Sequence, residues 1–288
     1  MHRRSFVRAM AASLVLPALG CASSPAAMPA AAVPRRRLKR VGLQLYTLRD
    51  AARVNLEGTL SDIAAAGYKD VELLSSMNNF GMEPAKLRAV LDRLGLRAPS
   101  THVGTDALDD LDRQLDAAAT LGHQYLIVAS FPDDKRKTLD DYRMWGDRFN
   151  EAGVITQKHG IWLAFHNEAE HVQPIEGRIP YDVFVDRTDP KVVRLQLDTG
   201  NMAVGGQDPI PYLAKYGPRY WAFHIKDAPA LGAAHDTELG KGVVDFRKLL
   251  GMIDRIDEKV LYVEQESYPG LPLDSVKRDF NYISTLDF

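Results

Sequence analysis

From Val41 onward the chain alternates short apolar runs with amphipathic stretches, and the runs recur at intervals of roughly thirty residues, the size of one βα unit. The runs predict eight strands: Val41–Tyr46, Asp70–Leu74, Arg97–His102, Tyr125–Ser130, Ile161–His166, Val193–Asp198, Tyr220–Ile225 and Val260–Glu264. Between them, apolar residues at helical spacing predict helices over Leu56–Ala66, Pro84–Leu94, Leu108–Leu121, Leu139–His159, Pro180–Arg187, Pro209–Tyr216, Phe246–Ile256 and Leu273–Thr285. Glycines 67, 95, 122 and 160 stand where the first four of these should stop. Most of the strand runs lack strict alternation, as expected for parallel strands covered on both faces. Eight such units over residues 41–288 match a single (β/α)8 TIM barrel. The rival, a doubly wound open sheet, needs a glycine-rich phosphate loop after its first strand, and Leu45-Tyr46-Thr47-Leu48-Arg49-Asp50 contains no glycine.

The first forty residues follow another pattern. They hold eight basic side chains and no acidic one, which leaves 28 basic against 38 acidic residues, a net charge of −10, on the remainder. So acidic a body would repel a polyanion, and no nucleic-acid partner is expected. Arg3-Arg4-Ser5-Phe6 followed by the apolar stretch Ala9–Gly20 reads as an export signal over residues 1–21, of the twin-arginine type that exports folded proteins. Ala18-Leu19-Gly20-Cys21 looks like a lipoprotein cleavage site, which would make Cys21 a lipid anchor and its one link to a membrane. The alternative is an ordinary cut near Ala27 or Ala32. Residues 22–40, rich in Ala and Pro and then basic, read as a linker. The location expected is exported and periplasmic. One cysteine can form neither an intrachain disulfide nor a thiolate zinc cluster.

In a TIM barrel the chemistry sits at the C-terminal strand ends. Here those ends read Gln44 and Tyr46; Glu72; His102; Ser130; His166, Asn167 and Glu168; Asp198 and Asn201; His224, Lys226 and Asp227; Glu264, Gln265 and Glu266. Side chains two apart on a strand share a face, so His166 and Glu168, His224 and Lys226, and Glu264 and Glu266 point the same way. His166, Asp198, His224 and Glu264 end four neighbouring strands, a nitrogen and oxygen set suited to Mn²⁺, Zn²⁺, Co²⁺, Fe²⁺ or Mg²⁺. Burying that much charge without a cation is costly. A hydrogen-bonded structural network is the alternative for the set, and a salt bridge to Asp227 is the alternative for Lys226. His123 and His159, at helix C-termini, read as caps, and His171 and His235 as solvated loop residues. Trp145 and Trp221 read as core against the helices; Tyr46 and Phe131 are candidates for stacking on a sugar ring.

Gly42-Leu43-Gln44-Leu45-Tyr46-Thr47-Leu48-Arg49-Asp50, Phe165-His166-Asn167-Glu168, Leu197-Asp198-Thr199-Gly200-Asn201, Phe223-His224-Ile225-Lys226-Asp227, Gly240-Lys241-Gly242-Val243-Val244-Asp245-Phe246 and Tyr262-Val263-Glu264-Gln265-Glu266, in this order, resemble the sugar phosphate isomerase/epimerase family with the xylose-isomerase-like barrel. The resemblance implies one divalent metal ion held by His166, Asp198, His224 and Glu264, a carbohydrate substrate, and removal of a proton α to a carbonyl to give a metal-held enediolate. Isomerisation or epimerisation is the first outcome expected. Three features depart from the family pattern. Epimerases of the superfamily carry a glutamate where His166 stands, Glu168 replaces the second histidine of a common His-Asn-His sequence, and Asn201 stands where many relatives have His. The stretch from Asp198 to Pro209 also resembles inosose dehydratases, and lyases of 3-keto-glycosides look similar, so a lyase or dehydratase is the second outcome. A non-catalytic sugar-binding envelope protein is the reading from another class; an abasic-site nuclease would need more metal ligands and a basic face. On the enzyme reading Glu264, Glu168, His102 and Lys226 are catalytic, with Glu264 or Glu168 the base, and Gln44, Tyr46, Glu72 and Asn201 bind substrate.

Overall fold

In a computed structural model, residues 35–288 are described; the expected export signal, Cys21 and the expected linker as far as Pro34 lie outside them. Eight parallel strands close into a barrel in sequence order: β1 (Gly42–Gln44), β2 (Asp70–Leu74), β3 (Arg97–Val103), β4 (Tyr125–Val128), β5 (Trp162–His166), β6 (Val193–Asp198), β7 (Tyr220–Ile225) and β8 (Val260–Val263). β1 pairs with both β2 and β8, so no sheet edge is left open. Nine α-helices are present among the described residues: α1 (Arg49–Ala66), α2 (Pro84–Leu94), α3 (Leu111–Leu121), α4 (Leu139–Lys158), α5 (Pro180–Arg187), α6 (Thr199–Val204), α7 (Pro209–Tyr216), α8 (Phe246–Met252) and α9 (Pro272–Thr285). Buried outward-facing strand residues and the inner stripes of the helices form one continuous apolar layer.

Local chemistry explains most boundaries. Proline opens α2, α5, α7 and α9, where its fixed φ suits a first turn and its missing N–H costs nothing. Thr138 and Asp141 form a capping box at the start of α4. Gly67 ends α1 at φ 111°, a conformation disfavoured for a side chain, and a Cβ there would also meet the ring of Phe280. The expected start of the first helix at Leu56 corresponds to a break: α1 begins at Arg49, and Asn55 interrupts it at φ −154°, ψ 87°.

The structure corrects several expectations. Residues 35–40, expected as the end of the linker, are docked: Arg36 and Phe288 exchange backbone hydrogen bonds at 2.9 Å, and Arg37 pairs with Asp287 at 2.6 Å. Trp145 is core as expected, stacked on Phe131 with ring centroids 4.9 Å apart. Phe131 itself is 2% exposed between Trp145 and Phe165, so it has no face to offer a sugar. Trp221 does not join the helix layer: β6 and β7 shift register beside it. Its indole is instead stacked on Arg194 at 3.6 Å and Lys259 at 3.4 Å, against the lower barrel interior. His171 is fully buried rather than solvated, because its Nδ1 accepts the Glu168 backbone N–H at 3.0 Å and its ring packs on Phe165.

His123 donates from Nδ1 to the Ala98 carbonyl at 2.6 Å, tying the end of α3 to β3, and burial lowers its pKa to about 4. Burial likewise holds His102 near 4 and His171 well below its ordinary value. A histidine kept neutral in the fold takes up a proton only on unfolding, so its share of stability is full above about 6.5 and is lost as pH falls toward 4. His123 alone is worth about 3 kcal/mol across that window. The melting temperature is expected to drop steadily between pH 7 and pH 4; a flat profile would show these rings to be charged or exposed.

Candidate metal and catalytic centre

The inward-facing residues of the strands form two polar layers. The lower one centres on Glu72, which is fully buried. Ser100 Oγ donates to Glu72 Oε1 at 2.5 Å, and Gln44 Nε2 and His224 Nε2 donate to its Oε2 at 2.7 and 2.5 Å. Gln196 Nε2 reaches both oxygens at 3.0 and 3.1 Å, and His102 Nε2 lies 3.2 Å from Oε2. Burial works against this carboxylate's charge, but the facing His102 and His224 and these hydrogen bonds outweigh it and bring its pKa to about 2. Gln44 and Glu72, expected to bind substrate, therefore belong beneath the mouth, with their polar atoms committed to protein partners. Sequence reasoning missed Ser100 and Gln196. Each lies two residues before a strand-end residue already singled out, His102 and Asp198, so carrying the same-face rule one step down the strand finds both.

The upper layer brings together His166, Asp198, His224 and Glu264. One ligand atom from each lies within 4.8 Å of every other, and all four residues are buried. His166 Nδ1 donates to the Ala129 carbonyl at 2.9 Å, which leaves Nε2 with its lone pair facing Asp198 Oδ2 at 3.4 Å. Asp198 Oδ1 accepts the Asn201 backbone N–H at 2.7 Å and caps α6, the short helix the sequence reading missed, so Oδ2 alone faces the centre.

His224 carries the argument about what belongs there. With Nε2–H given to Glu72, its Nδ1 is a buried nitrogen without a hydrogen-bond partner, 2.9 Å from Glu264 Oε2 and 3.5 Å from Asp198 Oδ2. A ring nitrogen and two carboxylate oxygens this close need a positive charge between them, a proton or a metal ion. Burial opposes a charge on His224, but Glu264 and Glu72 push its pKa well up, while Asp198 is held well below the usual carboxylate range, chiefly by Lys226. Protons can satisfy this set, and so can a metal ion that displaces them. The donors, two imidazoles and two carboxylates from four adjacent strands, fit an ion of borderline hardness.

Around the quartet stand the other expected site residues. Lys226, 2% exposed, lies 3.4 Å from Glu264 Oε2 and 3.9 Å from Asp198 Oδ2 and also pairs with Glu266. The expected alternative, a pair with Asp227, is not formed: Asp227 accepts backbone N–H groups from Ala228, Gly240, Gly242 and Val244 and shapes the loop between β7 and α8. Glu168 reaches in from the rim, its Oε2 accepting Asn201 Nδ2 at 2.8 Å, and burial raises its pKa to about 7 against the pull of His166 and Lys226. His102 donates from Nε2 to Gln196 Oε1 at 2.8 Å and stacks on His224 with centroids 5.1 Å apart. Neutral and with that N–H committed, it has a lone pair to offer but no proton. Tyr46 lies under the Arg49 guanidinium at 4.2 Å, so one ring face is covered.

The model of the xylose isomerase-like TIM barrel family matches residues 60–286. Among curated proteins, an inosose dehydratase from Geobacillus kaustophilus is 26% identical over 269 residues, covering 79% of this chain and 86% of its own length. Among solved structures, a sugar phosphate isomerase/epimerase from Parabacteroides distasonis superposes with a TM-score of 0.73 at 24% identity, covering 87% of this chain and 97% of its own. The IolI protein with a bound zinc atom superposes with a TM-score of 0.66 at 14% identity, covering 84% of this chain and 95% of its own. With the family match running from within α1 through α9, and a buried His/Asp/Glu cluster that can hold a metal at the barrel mouth, the chain belongs to the xylose isomerase-like TIM barrel family.

Proposed function

We propose that this chain is a divalent-metal-dependent lyase or dehydratase that removes a proton α to a carbonyl of a keto-sugar, keto-inositol or 3-keto-glycoside and then expels a β-oxygen. The observation that carries this choice over epimerisation is the strand-five imidazole. His166 commits Nδ1–H to Ala129 and aims Nε2 at Asp198, which suits it to a ligand's role and leaves no carboxylate at its own position to pair with Glu264 across a substrate. The similarity to an inosose dehydratase supports the same outcome.

His166, Asp198, His224 and Glu264 would hold the ion; the zinc in the IolI structure supports a divalent metal without fixing which. When bound, such an ion supplies Lewis acidity and a template for neighbouring oxygens. The chain's own residues do the rest. Glu168, its side chain one-third exposed and anchored through Oε2 to Asn201, keeps Oε1 to take the α-proton and return it to the departing oxygen. The Lys226 ammonium stabilises negative charge developing on substrate oxygen. His102 and Asn201 line the deep side. A free or glycosidic sugar fits the exported location that the leader suggests; fractionation and mass analysis of the mature N-terminus test that location.

The second reading, isomerisation or epimerisation, is favoured by the position of Glu168 on the same face as His166, where a carboxylate can still serve a two-base exchange. Turnover of ketohexoses, inososes and 3-keto-glycosides in D₂O separates the two. An enone or a released aglycone is expected. Deuterium fixed in an otherwise intact sugar, with nothing eliminated, would replace the lyase by an isomerase. Glu168→Gln should lower turnover by roughly 10²–10⁴-fold, and unchanged turnover would remove Glu168 from the mechanism.

A further inference from the structure

Lys226 is held at three levels. Its backbone N–H donates to Thr199 Oγ1 at 3.1 Å, and that hydroxyl donates to the Lys226 carbonyl at 2.6 Å. Its stem lies on Gly200, where a Cβ would come within 2.8 Å of Lys226 Cβ. Its ammonium is shared by Glu264, Asp198 and Glu266. The first two offer it the same oxygens that face His224 Nδ1, Glu264 Oε2 and Asp198 Oδ2. A buried lysine at the edge of the quartet therefore competes for the lone pairs a divalent ion would use, and repels that ion at short range in a medium that screens poorly.

Glu266 stands on the other side of the ammonium. It follows Glu264 by two residues, and its side chain is 36% exposed. Its backbone N–H donates at 2.5 Å to Asp236 Oδ2, on the loop between β7 and α8 that Asp227 gathers through four backbone N–H groups. The backbone that carries this carboxylate is thus held from outside, by a contact the quartet does not share.

We infer that Glu266 is a positioning residue that draws the Lys226 ammonium outward and so keeps Glu264 and Asp198 free to hold a divalent ion. The inference rests on the metal reading of the quartet. Without the Glu266 charge, the carboxylates within ion-pair distance of Lys226 among the described residues are the two ligands themselves. The ammonium then settles on them, and an incoming ion must displace it.

The test is a titration of the full chain, stripped by chelator, with Mn²⁺ alone, following free Mn²⁺ by electron paramagnetic resonance. Glu266→Gln is expected to weaken Mn²⁺ binding at least tenfold. Glu266→Gln combined with Lys226→Met is expected to restore wild-type affinity, because nothing then competes; Lys226→Met alone should bind at least as tightly as wild type. A role for Glu266 in structure alone would not be rescued by deleting the lysine. Wild-type affinity in Glu266→Gln, no rescue in the double variant, or weaker binding in Lys226→Met overturns the inference and leaves the metal reading standing. A wild-type chain that takes up no Mn²⁺ overturns both.

Discussion

Exchanging Glu264 for glutamine is expected to abolish turnover, by roughly 10³-fold or more, about 4 kcal/mol of transition-state stabilisation. The substitution preserves shape. It removes the charge that pairs with Lys226 at 3.4 Å and faces His224 Nδ1 at 2.9 Å, and the pKa of Glu264 is below its ordinary value because those two cations outweigh burial. An amide is a poor ligand for an ion of this class, so metal content and turnover should fall together. The metal-free variant should remain folded, because glutamine fills the same space at the end of β8. If Glu264→Gln kept both its metal and its turnover, Glu264 would be neither a ligand nor a catalytic group, and this account of the quartet would fail.

The second large effect is on stability. Glu72→Ala leaves donors from Gln44, Ser100, Gln196 and His224 converging on an empty, fully buried space. Breaking such a buried charged network typically costs about 3–5 kcal/mol, which for a chain of this size lowers the melting temperature by roughly 6–20 °C. Metal affinity should fall as well, by about 10–100-fold, because His224 loses the partner that fixes its tautomer and aims Nδ1. The pH dependence follows from the lowered pKa of Glu72. Its contribution is complete above the ordinary carboxylate value of 4.5 and is lost as pH falls through about 2, a stage later than that of the buried histidines. Thermal melts of wild type and variant at pH 7 and pH 3 measure both effects. A loss of under about 3 °C at pH 7 would mean that water or another side chain satisfies these donors.

Most of the barrel was legible in the sequence because each unit repeats one physical problem. A parallel strand covered on both faces must be a short, largely apolar run, as at Tyr220–Ile225, whose limits match β7. Proline and glycine then mark the helix ends, as at Pro84 and Gly95 around α2. The quartet was legible for the same reason, since period two and the barrel rule place strand-end residues at one mouth. What stayed hidden depends on contacts between distant segments. Phe131 reads like an exposed aromatic until Trp145 and Phe165 close on both faces. His171 looks like a loop histidine until the Glu168 N–H turns it inward. Trp221 followed the alternation rule only as far as the register shift beside it. Gln44 ends β1 as a substrate group should, but Glu72 lies two residues short of the end of β2, and Ser100, Gln196 and His224 enclose its carboxylate.

The most direct test of the account is anomalous diffraction from crystals of the full chain soaked with Mn²⁺. One strong peak is predicted at ligand distance, about 2.0–2.3 Å, from His166 Nε2, Asp198 Oδ2, His224 Nδ1 and Glu264 Oε2 together. No peak at saturating Mn²⁺, or a peak held by other residues while His224 Nδ1 stays bound to a proton, would contradict it.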